Sequence, residues 1–151
     1  MIKRNKKTLR KNRMIKALDA NCRAEVVEVR DGNTCQRCGA RDGEWISELQ
    51  RYVKIQWCHV MTREYHILRW EPDNSFAGCD RCHVWFDQHK LLSYEWFRKT
   101  WPERWEHIQN VLRISTKTSE AWLREKYEEM MRDPPSVDLS QPIRDSDIPF
   151  A

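Results

Sequence analysis

The chain has no apolar run longer than a few residues, and its lysine-rich start is not followed by a hydrophobic segment. These absences argue against a secretory signal and against a helix spanning a bilayer, which needs about 20 predominantly apolar residues. The expected setting is the cytoplasm, with no membrane partner. Internal repeats are missing too, and 151 residues are too few for two domains of ordinary size. What is present is 33% charged residues, a mean hydropathy of -0.87 and eight tryptophans. That is the composition of a folded chain with polar extensions, not of a disordered one.

Charge is unevenly placed behind a net value of +4. Met1 to Lys16 holds eight lysines and arginines and no acid, whereas Lys117 to Ala151 holds five basic against eight acidic residues. The first run, with Lys6, Lys7, Arg10 and Lys11, suits a phosphate-binding arm, because cations on a polyanion release condensed counterions without reading sequence. A solvated tail that aids solubility fits the same residues.

Apolar positions at Leu9, Met14, Ile15, Leu18, Cys22, Val26 and Val27 recur at helical spacing and predict an amphipathic helix ending near Asp31-Gly32. "NTCQRCGARDGEW" reads as a glycine-bearing loop, "LQRYVKIQWCHV" as a strand, "MTREYHILRWEPDN" as irregular, "SFAGC" as a second strand and "DRCHVWFDQHKLL" as a helix. Three further helices follow: "SYEWFRKTW", "PERWEHIQNVLR" with Pro102 at its first position, and "SEAWLREKYEEMMR" stopped by Pro134. Trp96, Trp101, Trp105 and Trp122 sit on these helices among glutamates and are read as core rather than base-stacking residues; Trp57, Trp70 and Trp85 are read as core around the cysteines. From Asp133 on, the chain is proline-rich, acidic and aperiodic.

Six cysteines in such a chain read as ligands rather than disulfides, and four of them form two Cys-x-x-Cys pairs. Cys35, Cys38, Cys79 and Cys82 offer four thiolates, and each pair turns both sulfurs to one side of the backbone, as tetrahedral zinc requires. Redox pairs would need a thioredoxin-like context that is missing here. His59, Asn74 and His83 lie outside that full shell. His83 opens the predicted helix and Asp87 follows four residues later on the same face, so the two can share one divalent cation. Such an ion with open positions suits phosphate activation, and His59 at the strand end is then the candidate general base. Arg63 and Arg69, in the loop between His59 and Asn74, are candidate phosphate contacts, with solvated loop charges as the alternative.

In this order, His59, Asn74 and His83 with a cysteine pair just before the last histidine, the residues resemble the HNH endonucleases, whose ββα-metal site is often built on a treble-clef zinc knuckle. The spacings of 15 and 9 residues are similar to those of colicin nuclease domains, and "CHVMTREYHILRWEPDNSFAGCDRCHVWF" is closer still to small phage-encoded HNH proteins, recombination nucleases among them. The resemblance covers Thr34 to His89. It implies two strands and a helix around a metal, with His59 as general base, Asn74 positioning the loop that carries it and His83 as ligand of the catalytic ion. Many relatives place an aspartate or histidine that also binds that ion where this chain has Cys58. Either the thiol selects a softer ion than magnesium, such as zinc, manganese or nickel, or it is a small packing residue and Asp87 does more of the binding.

The expected architecture is α+β: a basic N-terminal helix (1–32), a zinc-stabilised ββα core (33–91), C-terminal helices (92–132) and an acidic tail (133–151). The expected activity is metal-dependent hydrolysis of DNA phosphodiesters by a phage or mobile-element nuclease acting in nicking, packaging or recombination. It would use a structural zinc and a catalytic Mg2+, Mn2+, Ni2+ or Zn2+. Expected partners are DNA, a second copy of the chain through the C-terminal helices, and phage packaging or recombination proteins. The alternative is a non-catalytic zinc knuckle that binds DNA or a protein.

Overall fold

A computed structural model describes residues 6–114 and 117–133; the first five residues and the proline-rich segment from Pro134 onward lie outside them. Helix α1 (Lys6–Arg23) continues into a π-helical turn, Ala24–Arg30. Then come strands β1 (Trp45–Ile46), β2 (Arg51–Tyr52) and β3 (Ile55–His59), a short helix α2 (His66–Arg69), strand β4 (Ser75–Cys79), and helices α3 (Asp80–Gln88), α4 (Lys90–Thr100), α5 (Pro102–Ile114) and α6 (Glu120–Arg132). Helices and two small sheets make this an α+β protein. None of the described helices is long and apolar enough to cross a membrane.

Local chemistry sets several helix starts. Pro102 opens α5, where its missing N–H costs nothing. Ser119 caps α6 by accepting from Trp122 N at 3.1 Å. The first helix departs from the single α-helix that its periodicity predicts. Met14, Leu18 and Cys22 form a buried stripe four residues apart, and continued α-helix would bring Val26 and Val29 next. Instead, Val26 and Val27 are both fully buried and Val29 is exposed. Widening the turn to i→i+5 bonds, closed by Asp31 N to Val26 O at 3.0 Å, rotates the adjacent valines inward together.

The central feature is the antiparallel hairpin β3–β4, in register from Ile55↔Cys79 to His59↔Ser75. Its period-two alternation feeds two cores. Ile55, Trp57, Ala77 and Cys79 face one that takes Leu18, Val26, Val27 and Leu123 from α1, the π turn and α6, and Trp70 from the end of α2. Cys58, Val60 and Phe76 face the other, with Phe86, Phe97 and Ile108 from α3, α4 and α5. Each fully buried side chain of this size contributes about 1.5–3 kcal/mol. Trp96, Trp101 and Trp105 pack against the second core and Trp122 against the first, as the sequence reading has it.

The outer edge of β4 does not end in open bonds. Asp31 Oδ2 accepts from Ala77 N (2.8 Å) and Gln36 N donates to Ala77 O (2.9 Å), so the loop holding the first cysteine pair continues the ladder. Two arginines from different layers, Arg30 and Arg104, both donate to the Ser75 carbonyl.

Candidate functional site

Four sulfurs converge first. The Sγ atoms of Cys35, Cys38, Cys79 and Cys82 lie within 4.8 Å of one another, and Cys38 and Cys79 are 3.7 Å apart. A tetrahedron with metal–sulfur bonds of about 2.3 Å has edges of about 3.8 Å, so the group could hold a metal ion. The first pair sits on a tight turn in which Gly39 N donates to Cys35 O (2.9 Å) and Gly39 takes a φ of 76°, open to glycine at little cost. The second pair spans the β4–α3 junction, where Cys79 is the N-cap residue and its sulfur accepts from Cys82 N at 3.5 Å.

Burial works against a thiolate at Cys35, Cys79 and Cys82. At Cys35, backbone hydrogen bonds from Cys38, Cys79 and Arg37 outweigh it and bring the thiol to about 7. At Cys79 and Cys82 burial prevails and pushes the thiol up. A bound cation would reverse that balance, because metal coordination deprotonates thiols. Arg37 sits where it can offset the surplus charge of four thiolates: its Nη1 donates to Cys82 Sγ at 3.6 Å and its guanidinium lies 3.7 Å from the Trp85 ring centroid. Its place inside the first Cys-x-x-Cys is the only sequence signal for it.

Two imidazoles lie on the hairpin and on the helix that follows it. His59 closes β3, is buried, and lies 4.1 Å ring to ring from Trp57. Burial and the Arg63 charge push its pKa down to about 3, so it is neutral. A neutral ring bonded at Nε2 to the Arg69 carbonyl (3.0 Å) carries its proton there and leaves Nδ1 as the acceptor. His83, on the first turn of α3, is bonded the other way round: Nδ1 lies 2.6 Å from Gln56 Oε1 and Nε2 lies 3.4 Å from Asp87 Oδ2. Burial lowers its pKa, with Asp87 opposing. The amide oxygen of Gln56 fixes the Nδ1–H tautomer and turns the Nε2 lone pair toward Asp87, an arrangement that can take a cation. Asp87 Oδ1 is also 3.3 Å from Lys90 Nζ.

Asn74 is fully buried at the start of β4, and all its amide groups are used. Its Oδ1 accepts from Met61 N (2.8 Å), and its Nδ2 donates to Met61 O (3.1 Å) and Leu68 O (3.0 Å). One side chain thereby closes the loop that follows His59.

The other sequence candidates are spread more widely. Cys58 is fully buried in the second core, its Sγ donating to Gln56 O at 3.7 Å, and burial pushes its thiol well up. Among the described residues the four cysteines are the only histidine, cysteine or acidic group of three or more that converges tightly; Cys58, His83 and Asp87 do not form a second. Arg69 is held by Asp19 of α1 through a bidentate pair, Nε to Oδ1 at 2.9 Å and Nη2 to Oδ2 at 2.7 Å. Arg63 is half-buried, 5.5 Å from the Trp57 ring centroid. On α1, Lys6, Arg10 and Lys11 are exposed, and Lys7 pairs with Glu120 at 3.1 Å. No protein-family model, curated protein or solved structure matches the chain.

Proposed function

We propose that the chain is a metal-dependent DNA endonuclease of the HNH type, built on a treble-clef knuckle in which Cys35, Cys38, Cys79 and Cys82 hold a structural zinc. Tetrahedral four-thiolate coordination is the usual chemistry of structural zinc, and the sulfur spacing fits it. The observation that carries the reading is the opposite tethering of the two imidazoles. His59 is held through Nε2, leaving Nδ1 to accept a proton; His83 is held through Nδ1, leaving Nε2 beside a carboxylate.

In this reading His59 Nδ1 takes the proton of a water that attacks the phosphorus of a phosphodiester. His83 and Asp87 would hold a divalent cation, Mg2+, Mn2+, Ni2+ or Zn2+, and that ion when bound supplies charge neutralisation at the departing 3′ oxygen. Asn74 keeps the loop after His59 closed, so that the base does not drift from its target. The exposed cations of α1, Lys6, Arg10 and Lys11, together with Arg63, lie against the DNA backbone and add affinity without sequence readout.

The test is cleavage of supercoiled plasmid by the wild type and by His59→Ala, each in magnesium, manganese, nickel and zinc, with the zinc content of both proteins matched. Wild-type cutting that His59→Ala loses by a hundredfold or more supports the reading. Equal DNA binding without cleavage by either protein, on plasmid and on branched substrates alike, would instead make the chain a zinc-knuckle binding module.

A further inference from the structure

We propose that Asp19, on the basic helix α1, is a positioning residue for the His59 imidazole. The inference rests on the reading of His59 as general base and adds a residue that the sequence gives no reason to suspect.

The oxygen that accepts the His59 N–H belongs to the peptide joining Arg69 to Trp70. One carboxylate grips the side chains on both sides of that peptide. Asp19 Oδ2 accepts from Arg69 Nη2 at 2.7 Å, and Asp19 Oδ1 accepts from Arg69 Nε at 2.9 Å and from Trp70 Nε1 at 2.8 Å. Bidentate arginine–carboxylate pairs are both stronger and more directional than single contacts, and this one is largely shielded, with 15% and 21% of the two side chains exposed.

The peptide needs such a grip. Helix α2 is four residues long and has no side-chain cap, so it cannot fix the direction of its own last carbonyls. Left to itself, the Arg69 carbonyl would sample several directions and the His59 ring would lose the partner that sets its tautomer. With Asp19 in place, the carbonyl points at Nε2 and Nδ1 stays available. The same contact ties the base to α1, the helix with exposed Lys6, Arg10 and Lys11. DNA seated on α1 and the proton acceptor on β3 are therefore joined through one ion pair. Arg69 is the middle of that link rather than a phosphate contact.

The experiment uses the full chain with its zinc site loaded and compares wild type, Asp19→Asn, Asp19→Glu, Arg69→Lys and the Asp19→Asn/Arg69→Lys double variant. Two readouts are taken: steady-state cleavage of a fluorescent duplex, and the long-range proton–nitrogen NMR spectrum of the His59 ring. The expected wild-type spectrum is a single Nε2–H tautomer. In Asp19→Asn and Arg69→Lys the tautomer becomes mixed and kcat falls about 10- to 100-fold with KM within about twofold, the scale of a misplaced catalytic group. The double variant is no worse than either single one, and Asp19→Glu recovers part of the loss. A wild-type His59 spectrum and wild-type kcat in Asp19→Asn, with only the melting temperature lowered, would overturn the proposal and leave Asp19 as a tether for α1. If the wild type cuts no DNA, the nuclease reading fails separately. The spectrum then decides alone: an unchanged tautomer in Asp19→Asn overturns the positioning role, and a mixed one upholds it.

Discussion

Gln56 and His83 face each other between β3 and α3, the amide oxygen 2.6 Å from the imidazole Nδ1. The contact dictates which nitrogen of His83 is available to a cation. Removing it in Gln56→Ala frees the ring to rotate and to change tautomer. Divalent-ion affinity at the proposed His83–Asp87 site is expected to fall about 10- to 100-fold, as for other partners that orient a metal-binding histidine. Calorimetric titration with manganese, on protein whose zinc content is unchanged, checks it; an unaltered affinity would mean that the amide only fills space.

Asn74→Ala leaves Met61 N, Met61 O and Leu68 O without their partner inside the fold. Each unsatisfied buried group costs about 1–3 kcal/mol, offset in part where the loop opens to water, so a loss of about 2–4 kcal/mol is expected in urea unfolding. Asn74→Asp should do worse than alanine, since a carboxylate would face two carbonyl oxygens that Nδ2 now serves.

A methyl group on Gly78 would stand 2.7 Å from Cys58 Sγ and 3.3 Å from Phe76 Cε2. Gly78→Ala is therefore expected to cost about 1–3 kcal/mol by overpacking. In a Cys58→Ala background the sulfur is gone and the added cost should shrink, giving a favourable coupling in a double-mutant cycle. Cys58→Ala alone should leave manganese affinity as in wild type; weakened binding there would make the thiol a ligand after all.

Stripping the proposed zinc from the four-cysteine group should unfold the centre of the molecule, since binding at such sites carries on the order of 10 kcal/mol of folding free energy. Loss of the cooperative thermal transition in strong chelator under reducing conditions, and its return on adding zinc, is the expected result. A transition unmoved by chelation would show that the two cores suffice.

Much of this arrangement was legible in the sequence. Two Cys-x-x-Cys pairs declare a four-sulfur group because the chemistry fixes their spacing, and the residue patterns mark β3, β4 and the longer helices, whereas α2 lies in a stretch that reads as irregular and β2 reads as one strand with β3. Residues that act through a single hydrogen bond leave no such mark. Gln56 is one polar position in an alternating strand, and Asp19 is one acid in a basic helix; only the folded chain shows what each touches. Arg69 shows the converse, since a loop arginine looks ready for phosphate until Asp19 is found against it. The π turn was hidden for a related reason: Val26 and Val27 both read as apolar-stripe positions, but their spacing does not say that the helix must widen to bury the adjacent pair together.

The β3–β4 hairpin is a partition with a separate core on each face, and the two histidines are anchored from opposite sides of it. His59 projects with Trp57 toward the layer of α1 and α6, whereas Gln56 projects with Cys58 toward α3 and His83. Substitutions packed under α1 are therefore expected to shift the anchor of His59 first, and those packed under α4 and α5 the Gln56–His83 pair. The tethers of the two imidazoles can thus be altered independently, each from its own side of a two-stranded wall.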